Sequence, residues 1–106
     1  MPKYLLEIRY SVEGAKGVKA KGGTARVKAA TELLEGLGGK IESFNFAFGG
    51  VDAYVIAELP DEASAIAAAL AVNSGGGATT KTVQLISPAQ VDEAAGKQTT
   101  YRPPGN

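Results

Sequence analysis

Residues 40–59, KIESFNFAFGGVDAYVIAEL, read as two strands joined by a two-residue turn. In Lys40–Phe48, the side chains of Phe44, Phe46 and Phe48 fall on one side and those of Ile41, Ser43, Asn45 and Ala47 on the other. In Val51–Leu59, Val51, Ala53, Val55 and Ala57 oppose Asp52, Tyr54, Ile56 and Glu58. A period of two marks a strand, because successive Cβ atoms leave a pleated chain on opposite faces. Gly49-Gly50 supplies the backbone freedom of a tight hairpin turn.

Upstream, Val27, Ala30, Leu33, Leu34 and Leu37 recur at helical spacing, and Gly38-Gly39 ends the helix by accepting a left-handed conformation. A stretch punctuated by Gly14, Gly17, Gly22 and Gly23 predicts one short helical turn before it. At the start, Tyr4, Leu6, Ile8 and Tyr10 alternate with Leu5, Glu7 and Arg9, a half-buried strand over Lys3–Tyr10. Downstream, Pro60 stops the hairpin and Asp61 caps a helix whose predicted buried stripe is Ala63, Ile66, Ala67 and Leu70. Gly75-Gly76-Gly77 ends that helix, and a last strand covers about Thr79–Ile86. Ser87-Pro88-Ala89-Gln90 has Ser as N-cap, Pro at the first position and Gln closing a capping box, which predicts a short C-terminal helix through Ala95.

The order strand, helix, strand, strand, helix, strand is a doubled βαβ unit. It predicts an α+β, ferredoxin-like βαββαβ fold with a four-stranded antiparallel sheet covered by helices on one face. Residues 1–96 form that domain, and residues 97–106 form a polar tail, either mobile or laid against a neighbouring subunit. The uncovered sheet face is expected to carry Phe44, Phe46, Phe48, Tyr54 and Ile56, too aromatic a patch to stand in water. Burial against a second copy is the natural remedy, so a homodimer or higher homo-oligomer is expected, two sheets forming a dimeric α/β barrel.

Composition limits the chemistry. The 106 residues suffice for one core, and 44% apolar with 21% charged residues is ordinary for a globular chain. Cysteine is absent, which removes disulfides, thiolate nucleophiles and sulfur ligands and leads us to expect a cytoplasmic protein. Histidine is absent too, and with it the usual neutral-pH base and the commonest transition-metal ligand. No acidic cluster has metal-loop spacing, so neither metal nor cofactor is expected. No basic segment precedes an apolar signal core, and the apolar run Ala63–Val72 is half of what spans a bilayer, so no membrane association is expected.

Net charge is zero but unevenly spread: residues 1–28 carry seven basic and two acidic side chains, residues 29–96 two basic and nine acidic. Lys16, Lys19, Lys21, Arg26 and Lys28 lack interleaved aromatics, so nucleic acid is not an expected partner and a solvated helix face is the simpler reading. The glycine clusters match neither a P-loop nor a dinucleotide fingerprint.

The chain resembles the GYD domain family over nearly its whole length. The likeness is carried by Lys3-Tyr4-Leu5-Leu6, Glu13-Gly14 with Gly17, Leu37-Gly38-Gly39-Lys40, Phe46-Ala47-Phe48-Gly49 and Lys81-Thr82. The resemblance implies a dimeric α/β barrel and no assigned activity. Gly50-Val51-Asp52 stands where the namesake Gly-Tyr-Asp would, so a tyrosine hydroxyl is not required there.

Asp52 is the one catalytic candidate, an acid beside a glycine turn that serves either as a base or, more plainly, as an acceptor fixing that turn. Phe44, Phe46, Phe48 and Tyr54 are candidate walls for a planar ligand, or simply packing residues. Arg9, Asn45 and Lys81 are polar strand residues able to orient an anion or carbonyl, or to sit at an edge. Three readings follow: a binding or assembly module for a small apolar or weakly acidic molecule; a cofactor-independent enzyme of oxygenase or isomerase type with Asp52 as base and Tyr54 or Arg9 stabilising an oxyanion; or a structural subunit without a ligand.

Overall fold

β1 (Lys3–Tyr10) is the strand around which the molecule is built, and it pairs antiparallel on both sides, with β3 (Ala53–Glu58) and with β4 (Ala78–Leu85). β2 (Lys40–Phe46) completes the antiparallel sheet in the order β2-β3-β1-β4, the ferredoxin-like arrangement. The helices are α1 (Val12–Lys21), α2 (Gly23–Gly36), α3 (Glu62–Ser74) and α4 (Pro88–Ala95). The computed structural model describes residues 1–105.

Residues directly opposite in an antiparallel ladder share a face, so the register assigns every strand residue. On the helix side lie the rows Ile41–Ala57–Tyr4–Gln84, Phe44–Val55–Leu6–Thr82 and Phe46–Ala53–Ile8–Thr80. Tyr4, Leu6, Val55 and Ala57 of these rows close a core with Leu34 of α2, Leu59, and Ala65 and Ala68 of α3. Phe44 and Phe46 therefore do not share the open face with Tyr54 and Ile56, contrary to the sequence expectation. Phe44 packs against the core, and Phe46 stacks on Tyr10 with ring centroids 6.5 Å apart. A bulge between Ile41 and Ser43 turns Ile41 to the helix side as well.

A second correction concerns α3. Its buried residues are Ala65 and Ala68, whereas Ile66 and Leu70 stand in solvent at 59% and 64% exposure. The helix is apolar on all sides, so periodicity alone does not choose its inner face. Alanines allow α3 to lie close over β4, and the bulkier Ile66 and Leu70 are turned out. The predicted short turn before α2 is also longer, a full ten-residue α1 whose N-cap Ser11 accepts from the Gly14 amide.

Asp61 caps α3 as expected, its Oδ1 accepting from the Ser64 amide at 2.8 Å. That bond holds its carboxyl below the ordinary value of 3.8. A lowered folded pKa means stabilisation that is complete above the unfolded value and lost as pH falls through the folded one. Asp61→Asn should therefore melt below the parent at neutral pH, and the gap should close as the pH of the melting experiment falls below 3.8.

α4 carries the full predicted capping box between Ser87 and Gln90. Every residue from Ile86 to Gly105 is nonetheless exposed. The radius of gyration is 17.1 Å, against about 13 Å for a compact chain of this length, and the longest dimension is 57 Å. The C-terminal segment is an arm reaching away from its own domain.

Candidate functional site

The face of the sheet away from the helices is uncovered, and its side chains are graded. Lys40, Glu58, Lys3 and Leu85 form the first row; Ser43, Ile56, Leu5 and Val83 the second; Asn45, Tyr54, Glu7 and Lys81 the third; Arg9 and Thr79 begin a fourth. Charge at the first row is neutralised locally, by Lys3 Nζ on Glu42 at 2.9 Å and Lys40 Nζ on Glu58 at 3.3 Å. The Glu42 carboxylate accepting from Lys3 raises the lysine's pKa above its ordinary 10.5. The second row is an apolar band across three strands. The third is polar, and among the described residues Glu7 and Lys81 have no salt-bridge partner although their Cα atoms are paired across the ladder.

An ammonium, a phenol, a carboxamide and a carboxylate thus stand in one line beside an apolar band. Lys81 and Asn45 can donate to a carboxylate or carbonyl oxygen, Tyr54 can donate or accept, and Glu7 can accept from a ligand hydroxyl or amide. Arg9, at the end of the line, gives its Nε–H to the Gly50 carbonyl and so ties β1 to the hairpin turn.

Asp52 follows the plainer of its two readings geometrically. Its Oδ2 accepts the Tyr10 backbone amide at 2.8 Å, while its own amide donates to the Ile8 carbonyl and its carbonyl accepts from Ala47. The carboxylate continues the β1–β3 ladder where backbone pairing ends. It lines a hollow of about 320 Å³ with Tyr10, Ala15, Val18, Phe46 and Phe48, from which Tyr54 is absent. The candidates are therefore split: Arg9, Asn45, Tyr54 and Lys81 belong to the open face, Phe44 and Phe46 to the helix side, and Asp52 to the end between them. Asp52→Ala leaves the Tyr10 amide without its acceptor, and a loss of about 1–3 kcal/mol in urea unfolding is expected, with a smaller loss for Asp52→Asn.

Sequence reading passed over Glu7, Leu5, Val83 and Leu85. Their signal is the departure of β1 from strict alternation, since Tyr4-Leu5-Leu6 is apolar at both parities, as in a strand covered on both faces. Among the described residues no group of three or more Asp, Glu, His or Cys side chains could hold a metal ion, and no helix is long and apolar enough to cross a membrane.

Compared with known proteins, residues 4–95 match the family model described as the GYD domain. No curated protein and no solved structure matches the chain.

Proposed function

The chain belongs to the GYD domain family, and we propose that it acts as a homo-oligomeric module that holds a small, weakly acidic molecule with an apolar body between the open sheet faces of two copies. The observation that carries this reading is the apolar band Ile56–Leu5–Val83 with Leu85 beside it, Val83 exposed and the other three half-buried, on the face of the sheet away from the helix-side core. Stacked sheets pack about 10 Å apart, so a second copy on this face would remove the band from water and enclose the row Asn45–Tyr54–Glu7–Lys81. Four polar groups enclosed beside an apolar wall suit a ligand with one acidic end.

The arm supports the same arrangement. An eight-residue helix is marginal by itself in water, yet α4 is fully capped. Where it leaves β4 it borders a concavity of about 740 Å³ with Lys3, Glu42, Ile56 and Leu85, at the margin of the open face. A partner seated on that face would meet the arm. A cytoplasmic setting fits the cysteine-free sequence. Asp52's engagement with the Tyr10 amide favours binding over the enzymatic alternative, which needs that carboxylate as a free base.

Native mass spectrometry reads assembly and cargo together. The expected result is a multiple of the 10.8 kDa chain that retains an added mass or takes up salicylate as a probe, with uptake at least 10-fold weaker in Lys81→Glu. An oligomer that neither retains a molecule nor binds salicylate at millimolar concentration would refute the binding half of the proposal.

A further inference from the structure

On the opposite side of the sheet, α1, α2 and the C-terminal end of α3 border a cleft of about 580 Å³. This volume lies within the roughly 300–1,000 Å³ of small-molecule sites. Ala25, Ala29 and Leu33 of α2 face Ala71 and Val72 of α3 across it. Small apolar walls on two helices normally let the helices approach; here the space between them stays open. Beside the cleft lies a small apolar recess lined by Leu6, Ile8, Val55 and Ala68, and Leu33 and Val72 line both. At the recess, the Thr80 hydroxyl is buried with no hydrogen-bond partner among the described residues.

The rim has the opposite character. Lys21, last in α1, and Arg26, in the first turns of α2, both line the cleft, and among the described residues neither has a carboxylate within salt-bridge distance. The charges that the sequence presents as a solvated helix face are here the polar edge of an apolar slot. Water satisfies the rim but not the walls, and an uncharged molecule satisfies the walls but not the rim.

We infer that the cleft between α2 and α3 binds an amphipathic anion, an unbranched acyl carboxylate whose chain lies between the Ala25–Ala29–Leu33 and Ala71–Val72 walls and whose carboxylate meets Lys21 and Arg26. The site is on the helix side and is independent of the sheet-face site proposed above.

Decanoate below its micellar range is the probe, titrated calorimetrically into the full chain. Saturable binding is expected. The double variant Lys21→Glu/Arg26→Glu should weaken it at least 10-fold, Ala29→Trp should abolish it by filling the slot from an exposed helix position, and decanol should bind at least 10-fold more weakly than decanoate. Backbone amide shifts on the helix side, at Gly14, Gly17 and Gly77, with those of Leu5, Tyr54 and Val83 unmoved at the same decanoate concentration, separate this site from the other. If Ala29→Trp does not fold, amide shifts of Gly14, Gly17 and Gly77 in the parent report the same contact and should move on titration. No binding, equal affinity for decanol, or binding indifferent to the rim charges would each overturn the inference.

Discussion

Leu5→Lys is expected to turn the proposed oligomer into a folded monomer. Leu5 lies on the central strand, flanked across the ladders by Ile56 and Val83 on the open face. In a single chain the new ammonium stands in water, and a strand residue on a solvated face tolerates it with little change in stability. In a sheet-to-sheet pair the same ammonium is enclosed, and breaking the solvation of a charge in this way costs about 3–5 kcal/mol, a weakening of roughly two to four orders of magnitude in the dissociation constant. Light scattering on a size-exclusion column, at concentrations where the parent is assembled, should give the mass of one chain. The far-ultraviolet circular dichroism should remain that of the parent. Val83→Lys, on the neighbouring strand, should act in the same direction, whereas Ile66→Lys on the outer side of α3 should leave the assembly intact. A parent-like mass for both sheet variants would contradict the proposed interface.

Gly14→Ala is expected to be the most destabilising single methyl in the chain. Gly14 sits in the first turn of α1 directly against the Gly77 carbonyl, so an added Cβ would meet that carbonyl oxygen at far less than contact distance. The carbonyl cannot give way freely, because it accepts the Ser11 amide at 3.0 Å, and the Ser11 hydroxyl donates to Gly76 at 2.8 Å. These bonds tie the start of α1 to the turn before β4. One methyl forced between two backbones therefore shifts a whole helix, and a loss of about 2–4 kcal/mol is expected, some 8–30 °C in melting temperature at ~4–8 °C per kcal/mol. Gly17→Ala is the control three residues on. Its Cβ meets nothing within 4 Å, so it should gain about 0.5–1 kcal/mol from helix propensity alone.

The order of strands and helices was legible in the sequence because each element has its own period and its own stops. Asp61 and the Ser87–Gln90 box mark helix starts by hydrogen bonds that a few neighbouring residues make among themselves, and all three bonds are present. The faces were harder, for two different reasons. The aromatic residues of β2 were decidable: a turn centred on Gly49-Gly50 implies Phe46 opposite Ala53 and Phe44 opposite Val55, the register the ladder has up to its end at Phe46–Ala53, and opposite residues share a face. The inner side of α3 was not decidable from its own pattern, since alanine, valine, leucine and isoleucine surround it, and the choice is made by how closely the helix must approach β4. The candidate site divides in the same way. Arg9, Asn45, Tyr54 and Lys81 fall on one face because strand parity is local, whereas the cleft at Lys21 and Arg26 is bordered by α1, α2 and the end of α3 together, a relation between distant segments that no local period encodes.

Sedimentation equilibrium of the unmodified protein over a range of concentrations measures whether a second copy associates with the chain at all, without perturbing the open sheet face by substitution. The expected result is a mass of two or more 10.8 kDa chains that persists at micromolar concentration. A mass of one chain throughout that range would contradict the account.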